Sequence, residues 1–361
     1  MQNAQVDPLS VSGWTETSHE HVAFAHDQVT GLRAIVAIHS TVLGPSLGGT
    51  RWYPYSATTD AVADVLRLSE AMSYKAAAAG LDLGGGKAVI IGDPAAKRSE
   101  AFLEAYARLI DQFNGRYITA EDVGTTVEDM QVLRRVTPHV TGLPFEDGGS
   151  GDPSPATARG VHAAIRATAM HLWGSSNLHG RKVVIVGVGK VGSALVDRLV
   201  GEGCEVLASD VNRAAIDAVV RRHDVEVLGV DEALSAPCDI LSPAAMGGSL
   251  NERSIAALRC QAVVGAANNQ LADPDVDAVR LRERGILYAP DFVVNAGGLI
   301  NIAEEIRGYD ADRAAAAVDR VGESVRNVLE LSKEHDIDTH RAAVRLAQAR
   351  IDAGRSARSV V

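Results

Sequence analysis

Two lysines and one aspartate carry the reactive chemistry of this chain. Lys87 follows three consecutive glycines in Gly80-Leu81-Asp82-Leu83-Gly84-Gly85-Gly86-Lys87 and precedes the apolar run Ala88-Val89-Ile90-Ile91. Three residues without side chains read as a tight turn, able to take positive φ and to let a ligand reach the main chain. A lysine at the mouth of a buried strand loses hydration, which lowers the pKa of its amine and makes it a usable base near neutral pH. The plainer alternative is a glycine turn with a solvated lysine beyond it. Lys75 lies in line with Ala61, Val65, Leu68, Met72 and Ala79, a stripe with helical spacing. A lysine there either snorkels out at the helix end or converges with Lys87 on an anion such as a substrate carboxylate. Arg116–Ala120 reads as a strand and Asp122 lies just beyond it, where ligands of α/β proteins bind, outside the carboxyl ends of strands. The competing reading is a helix start, because Thr126-Val127-Glu128-Asp129 resembles a capping signal.

The elements that position these residues alternate between strand and helix. Residues 21–27 and 31–40 predict two strands, followed by a glycine-rich loop over Leu43–Arg51. A helix is expected from Thr59 to Ala79, capped by Thr58 or Thr59 and ended by Gly80. Another is expected from Ser99 to about Phe113. Residues 146–155, rich in Gly, Ser, Asp and Pro, mark a composition break and set a domain boundary. The reading is α/β in two domains separated by a cleft, residues 1–150 and residues 151–335. Helices are expected at about 311–335 and 339–353, and the segment 336–361 is placed to pack back on the first domain.

The second domain carries a dinucleotide fingerprint. The strand Lys182–Val186 runs into Gly187-Val188-Gly189-Lys190-Val191-Gly192, which opens a helix, and a second strand over Glu205–Ser209 ends in Asp210. A lone GxGxxG is weak, but this context makes it specific. Gly187 makes the tight turn, Gly189 admits the pyrophosphate at the helix N-terminus, and Gly192 lets helix and strand pack. Asp210 should bond the adenosine ribose and repel a 2′-phosphate, which favours NAD over NADP. Later strands end in small residues, Ala244-Ala245 and Gly265-Ala266-Ala267, where a cofactor would lie. Asn268 and Asn269 offer amide donors and acceptors, with Asx-turn chemistry as the ordinary alternative. Asn295-Ala296-Gly297-Gly298-Leu299-Ile300 begins a further helix.

Composition excludes several classes. The formal net charge of −11 and the absence of a basic stripe argue against nucleic acid. No apolar run approaches a membrane span, and the first thirty residues lack the pattern of a secretory leader. Cys204, Cys238 and Cys260 have no metal-type spacing and read as reduced thiols of a cytoplasmic protein. His19-Glu20-His21 has no third ligand nearby, so no metal is expected and the pair reads as ordinary surface or strand residues.

Taken together, the motifs resemble the glutamate/leucine/phenylalanine/valine dehydrogenase family over nearly the whole chain, nearest to its leucine and valine dehydrogenases. The likeness rests on Leu47-Gly48-Gly49-Thr50-Arg51, Met72-Ser73-Tyr74-Lys75, Gly84-Gly85-Gly86-Lys87, Ala120-Glu121-Asp122-Val123-Gly124-Thr125, the glycine fingerprint, Gly265-Ala266-Ala267-Asn268-Asn269-Gln270 and Val294-Asn295-Ala296-Gly297-Gly298. The resemblance implies that residues 1–150 form the substrate and oligomerisation domain, residues 151–335 the NAD-binding Rossmann domain, and that an amino acid lies between the domains. Lys75 would hold its carboxylate, assisted by the Gly48 backbone and Asn268. Lys87 would act as general base, and Asp122 would exchange protons with the amine nitrogen. Thr157 and Asn295 are similar to family residues near the nicotinamide. The partners implied are an amino acid or 2-oxo acid, ammonia and further copies of the chain. The chemistry is coherent with this set. Hydride leaves an amino-acid Cα only when the nitrogen is unprotonated, so the site needs a base for that nitrogen and a group that activates the attacking water. A non-catalytic NAD sensor of the same ancestry would have lost a catalytic residue, yet Lys75, Lys87 and Asp122 are all present.

For the substrate side chain, the resemblance points to Leu47, Met72, Ala120, Leu299 and Ile302. In glutamate dehydrogenases the position matching Leu47 carries a lysine, and that matching Ile302 carries a small hydroxyl residue. An aliphatic pocket should reject a glutamate side chain, because burying an unpaired carboxylate is costly. It should accept leucine, valine or isoleucine. A leucine at position 299 is also seen in phenylalanine-specific members, so an aromatic substrate is the alternative. One methylene in such a pocket is worth only roughly 1–3 kcal/mol.

Overall fold

A computed structural model describes residues 18–358; part of the segment examined for a leader therefore lies outside the described residues. The chain divides into two compact units. Among the described residues, the first holds 18–151, 305–309 and 348–358, and the second holds 152–304 and 310–347. The boundary after Gly151 falls in the Gly/Ser/Pro break. The last helix does not pass whole to the first unit: its residues up to Ala347 belong to the second.

The first unit is built on a five-stranded mixed sheet in the order β1-β2-β4-β3-β5. β1 (His21–Asp27) and β2 (Leu32–Ser40) form a hairpin, and Gly31 turns it at φ 73°. β3 (Ser46–Tyr53) precedes helix α1 (Thr58–Ala78), after which come β4 (Gly84–Ile91), α2 (Glu100–Asp111), β5 (Tyr117–Glu121) and α3 (Val127–Arg134). β2 is antiparallel to β4, while β3 runs parallel to both β4 and β5. One apolar layer, around Trp52, Phe102, Tyr106, Ile110 and Met130, packs α2 and α3 against the sheet. A smaller layer of Ile35, Val62, Val65 and Val89 seats α1 on the other face.

Three local expectations are corrected here. The glycine-rich segment after Leu43 is a strand from Ser46 onward, and the Gly84–Gly86 triplet is the start of β4, not a turn. None of the three has positive φ. Close approach requires them instead. A Cβ on Gly85 would stand 2.1 Å from the Ser73 backbone nitrogen of α1, and one on Gly86 would stand 2.7 Å from the Tyr117 ring. The α1 N-cap is Ala57, which makes no side-chain capping bond, in place of Thr58 or Thr59. The end of α1 is held from far along the chain: Arg350 donates to the carbonyls of Ala77, Gly80 and Leu81 and to the Asp82 carboxylate at 2.7 Å.

The second unit opens with α4 (Ser154–Trp173) and builds a six-stranded, all-parallel sheet. Its strands are β6 (Lys182–Val186), β7 (Glu205–Ser209), β8 (Glu226–Val227), β9 (Ile240–Pro243), β10 (Ala262–Val263) and β11 (Leu287–Tyr288). Helices α5 (Lys190–Gly201), α6 (Arg213–Val220) and α7 (Pro274–Glu283) connect them, and α8 (Gly297–Ala303) follows the last strand. The order β11-β10-β9-β6-β7-β8 reverses direction at β6, which defines the doubly wound dinucleotide fold and its switch point between β6 and β9. The segment expected as one helix over 311–335 is two, α9 (Ala311–Asp319) and α10 (Val321–His335), and α11 (Thr339–Arg358) closes the chain. No described helix is long and apolar enough to cross a membrane.

Candidate active site

Within the first unit the strand register gathers the reactive residues. Leu47 pairs with Gly85 of β4 and Ile118 of β5, Gly48 pairs with Thr119, and Gly49 pairs with Ala120. A Cβ on Gly48 would lie 1.8 Å from the Gly86 carbonyl oxygen and 3.4 Å from Cγ of Met72. Gly48 is thus wedged between β4 and α1, and the Tyr117 hydroxyl donates to its carbonyl at 2.7 Å. Leu47 and Ala120 are buried, and Met72 and Lys75 are half-buried on α1.

Lys87, 6% exposed, donates from Nζ to Oδ2 of Asp122. This contact pairs a buried ammonium with a carboxylate, so neither charge is left alone in the interior. Asp122 is fixed on its other side as well. Its backbone N–H donates to Thr125 Oγ1 at 2.9 Å, and its Oδ1 accepts from Val123 N–H. Burial acts to raise the Asp122 pKa, but Lys87, the Val123 amide and Arg51 outweigh it and hold the carboxyl below its usual range. The Thr126–Asp129 capping box exists too, and it starts α3 without using Asp122.

Arg51, at the end of the Leu47-Gly48-Gly49-Thr50-Arg51 motif, has no role assignable from sequence but stands beside the pair. It bonds Asp64 at 2.9 Å and stands 3.7 Å from Asp122. Read as a strand, β3 would have pointed to it: Gly49, whose Cβ would meet Asp122 Cβ at 2.9 Å, and Arg51 share one face. His19 is not a plain surface residue. Its Nε2 contacts Ser69 Oγ at 2.8 Å and the Leu66 carbonyl at 3.1 Å, beside the His39 ring. No cluster able to hold a metal occurs among the described residues.

Within the second unit the glycine fingerprint sits at the switch point. Gly187 takes φ 101°, and a Cβ there would lie 2.7 Å from that of Ala245. Gly192 would meet the Gly187 carbonyl oxygen at 2.0 Å. At Gly189, the N-cap of α5, an added Cβ would meet nothing within 4 Å. Packing therefore explains Gly187 and Gly192, whereas the bare backbone at Gly189 is open to a phosphate. Lys190 is exposed, and Val191 is half-buried in the first turn of α5. Asp210 accepts from the backbone N–H groups of Val188 and Asn212, each at 2.7 Å, and so ties the loop to the end of β7. A carboxylate has room for further donors, such as ribose hydroxyls. These residues fit a dinucleotide.

Two further groups lie in the same unit. Buried Asn295 donates from Nδ2 to the Ala266 carbonyl at 3.1 Å and to Asn268 Oδ1 at 2.8 Å. Asn268 is itself exposed, so Asn295 orients its amide. Thr157 packs on α8: a Cβ on Gly298 would lie 2.8 Å from its hydroxyl, which donates to the Pro153 carbonyl at 3.0 Å. Leu299 is buried and Ile302 half-buried on α8.

A parallel dinucleotide sheet, joined in one chain to a unit with a buried lysine–carboxylate pair, defines a pyridine-nucleotide dehydrogenase. The comparisons carry this to a family. Residues 17–139 match the model for the Glu/Leu/Phe/Val dehydrogenase dimerisation domain, and residues 204–358 match that for glutamate/leucine/phenylalanine/valine dehydrogenase. The chain is 48% identical to a valine dehydrogenase of Streptomyces virginiae, over 93% of this chain and 95% of that one. It is 44% identical to a leucine dehydrogenase of Geobacillus stearothermophilus, over 94% and 93%. Among solved structures, L-tryptophan dehydrogenase from Nostoc punctiforme superposes with a TM-score of 0.86 at 38% identity, covering 95% of this chain and 99% of that one. The chain belongs to the Glu/Leu/Phe/Val dehydrogenase family and is an amino-acid dehydrogenase.

Proposed function

We infer that the protein catalyses the reversible, NAD-dependent oxidative deamination of a branched-chain L-amino acid to its 2-oxo acid and ammonia. The observation that carries this reading is the contact between Lys87 and Asp122 on a strand floor whose side-chain lining, Leu47, Met72 and Ala120, is apolar. Lys75 and the Gly48 backbone hold the substrate carboxylate. Asp122 takes the proton from the amine nitrogen, which frees the lone pair that drives iminium formation. Lys87 acts in its amine form, reached at alkaline pH once its ammonium proton has passed to solvent: it takes a proton from the water attacking Cα, and the ammonium so formed polarises the developing oxygen. Gly187, Gly189, Lys190, Val191, Gly192, Asp210, Ala245 and Ala266 hold the dinucleotide, with Thr157, Asn268 and Asn295 toward its nicotinamide. When bound, NAD supplies the acceptor for the Cα hydride. Leu299 and Ile302 complete the aliphatic lining. The thiols of Cys204, Cys238 and Cys260 are free, in keeping with a cytoplasmic enzyme, and a homo-oligomer is in keeping with the dimerisation-domain match.

The test is NAD reduction at alkaline pH with valine, leucine, isoleucine, phenylalanine, tryptophan and glutamate in turn. A branched-chain substrate should give the highest kcat/KM and glutamate the lowest. The likeness to a tryptophan dehydrogenase makes aromatic preference the specific alternative, and glutamate as best substrate would overturn the pocket argument. Lys87→Ala should leave NADH affinity intact and lower kcat by about 10²–10⁴-fold, the range of a lost general base. Unchanged turnover would reject its role.

A further inference from the structure

The second unit holds a cavity of about 590 Å³ lined by α4, α5 and α10, with Asp319 at the end of α9 and Ser176 at its edge, apart from the residues discussed so far. From α4 come Arg159, His162 and Arg166, which spacings of three and four bring to one face. α5 adds Arg198 in its last turn, and α10 adds Arg326. The wall between them is small and apolar. At Gly322 the helices approach so closely that a Cβ would lie 3.0 Å from the Ala163 carbonyl oxygen.

Two carboxylates answer this charge. Asp319 grips Arg159 through two bonds of 2.6 Å, and Glu202 accepts from Arg166 at 2.8 Å and faces His162 Nε2 at 3.1 Å. Arg198 is half-buried, and neither it nor Arg326 forms an ion pair among the described residues. Burial and the neighbouring Arg159 disfavour the charge on Arg198, and the nearby Asp319 carboxylate offsets them only in part. In a chain of net charge −11, a concave surface with four guanidinium groups against two carboxylates is a local reversal of sign. A planar guanidinium fork matches phosphoryl oxygens two at a time, and the volume is in the range of small-molecule sites.

We propose that this cavity binds a small phosphate-bearing metabolite, with its phosphoryl group held by Arg198 and Arg326. The site is separate from the dinucleotide loop. Arg198 lies nine residues beyond Gly189 along α5, about 13 Å at the helical rise. The helices that form it also serve the cofactor residues: the first turn of α5 carries the glycine fingerprint, and the first turn of α4 carries Thr157.

The experiment titrates inorganic pyrophosphate into the full-length protein saturated with NADH, in about 0.15 M salt, and follows heat of binding and melting temperature. Saturable binding is expected, together with a raised melting temperature. Arg198→Ala/Arg326→Ala should weaken binding at least 10-fold, with NADH affinity and the melting temperature of the unliganded protein unchanged. Arg198→Lys, which keeps the charge and loses the fork, should fall between. Three results overturn the proposal: no binding; equal binding by the double variant; or equal binding of sulfate, which would mark general screening of charge. A parallel titration without NADH completes the test: pyrophosphate heat seen there but absent from the NADH-saturated protein would assign the binding to the glycine loop and also overturn the proposal.

Discussion

His39 shows how a single side chain ties the site to its support. It is 3% exposed, its Nδ1 lies 2.7 Å from Ser73 Oγ, and its Nε2 lies 2.8 Å from Ser18 Oγ. Ser73 is the residue against which Gly85 packs, two positions before Lys75. Burial, with the His19 ring alongside, lowers the His39 pKa from its usual 6.5 to about 4. The folded state therefore favours the neutral ring, and the unfolded chain binds the extra proton first. The stability this protects is whole above about pH 6.5 and is lost as the pH falls toward 4. Melting temperature should decline over that window, and His39→Gln should flatten the slope there. An unchanged slope would show that other groups govern it. Lys87 and Asp122 could be singled out from sequence because each follows a recognisable pattern, a glycine run and a strand end. Arg51 could not, since its relation to Asp122 exists only once β3 is known to be a strand.

At the scale of elements, glycine carried the main misreading. A run of glycines suggests a turn because glycine alone takes positive φ without cost. Gly84–Gly86 are extended and buried, and each is required by a neighbouring atom instead. Sequence holds no record of what lies across a sheet or under a helix, so the two causes look alike until the packing is seen. The second unit was more legible because its fingerprint couples glycine spacing to a strand, a helix and an acid in fixed order. The contrast predicts opposite outcomes for the same substitution. Gly85→Ala pushes a methyl into the backbone of α1 and should cost about 3 kcal/mol or more, the upper end for overpacking, seen as a lowered melting temperature. Gly189→Ala meets nothing in the protein and should leave melting unchanged while weakening NADH binding. If Gly189→Ala binds NADH normally, the loop is not where the phosphates lie.

At the scale of the molecule, the chain leaves the first unit after Gly151, returns for residues 305–309, and returns finally at Gln348. The middle visit is anchored by Glu305, which accepts from the backbone N–H groups of Gly142 and Ser150 at 2.9 Å each. The last brings Arg350 to the end of α1 and Gln348 to the Tyr74 hydroxyl at 3.0 Å. Removing residues 348–361 should therefore loosen α1 and β4, some 270 positions away in sequence, while the second unit continues to bind NADH. Hydrogen exchange checks this: protection should fall in residues 58–91 and persist in 182–209, and unchanged protection in 58–91 would discount the clamp.

The same clamp sets an order on biosynthesis. A ribosome delivers residues 58–91 well before Arg350, which follows every residue of the second unit in the chain. The segment bearing Lys75 and Lys87 thus waits, incompletely fastened, while the whole of the second unit is made, and the catalytic floor closes only after the cofactor unit has been synthesised.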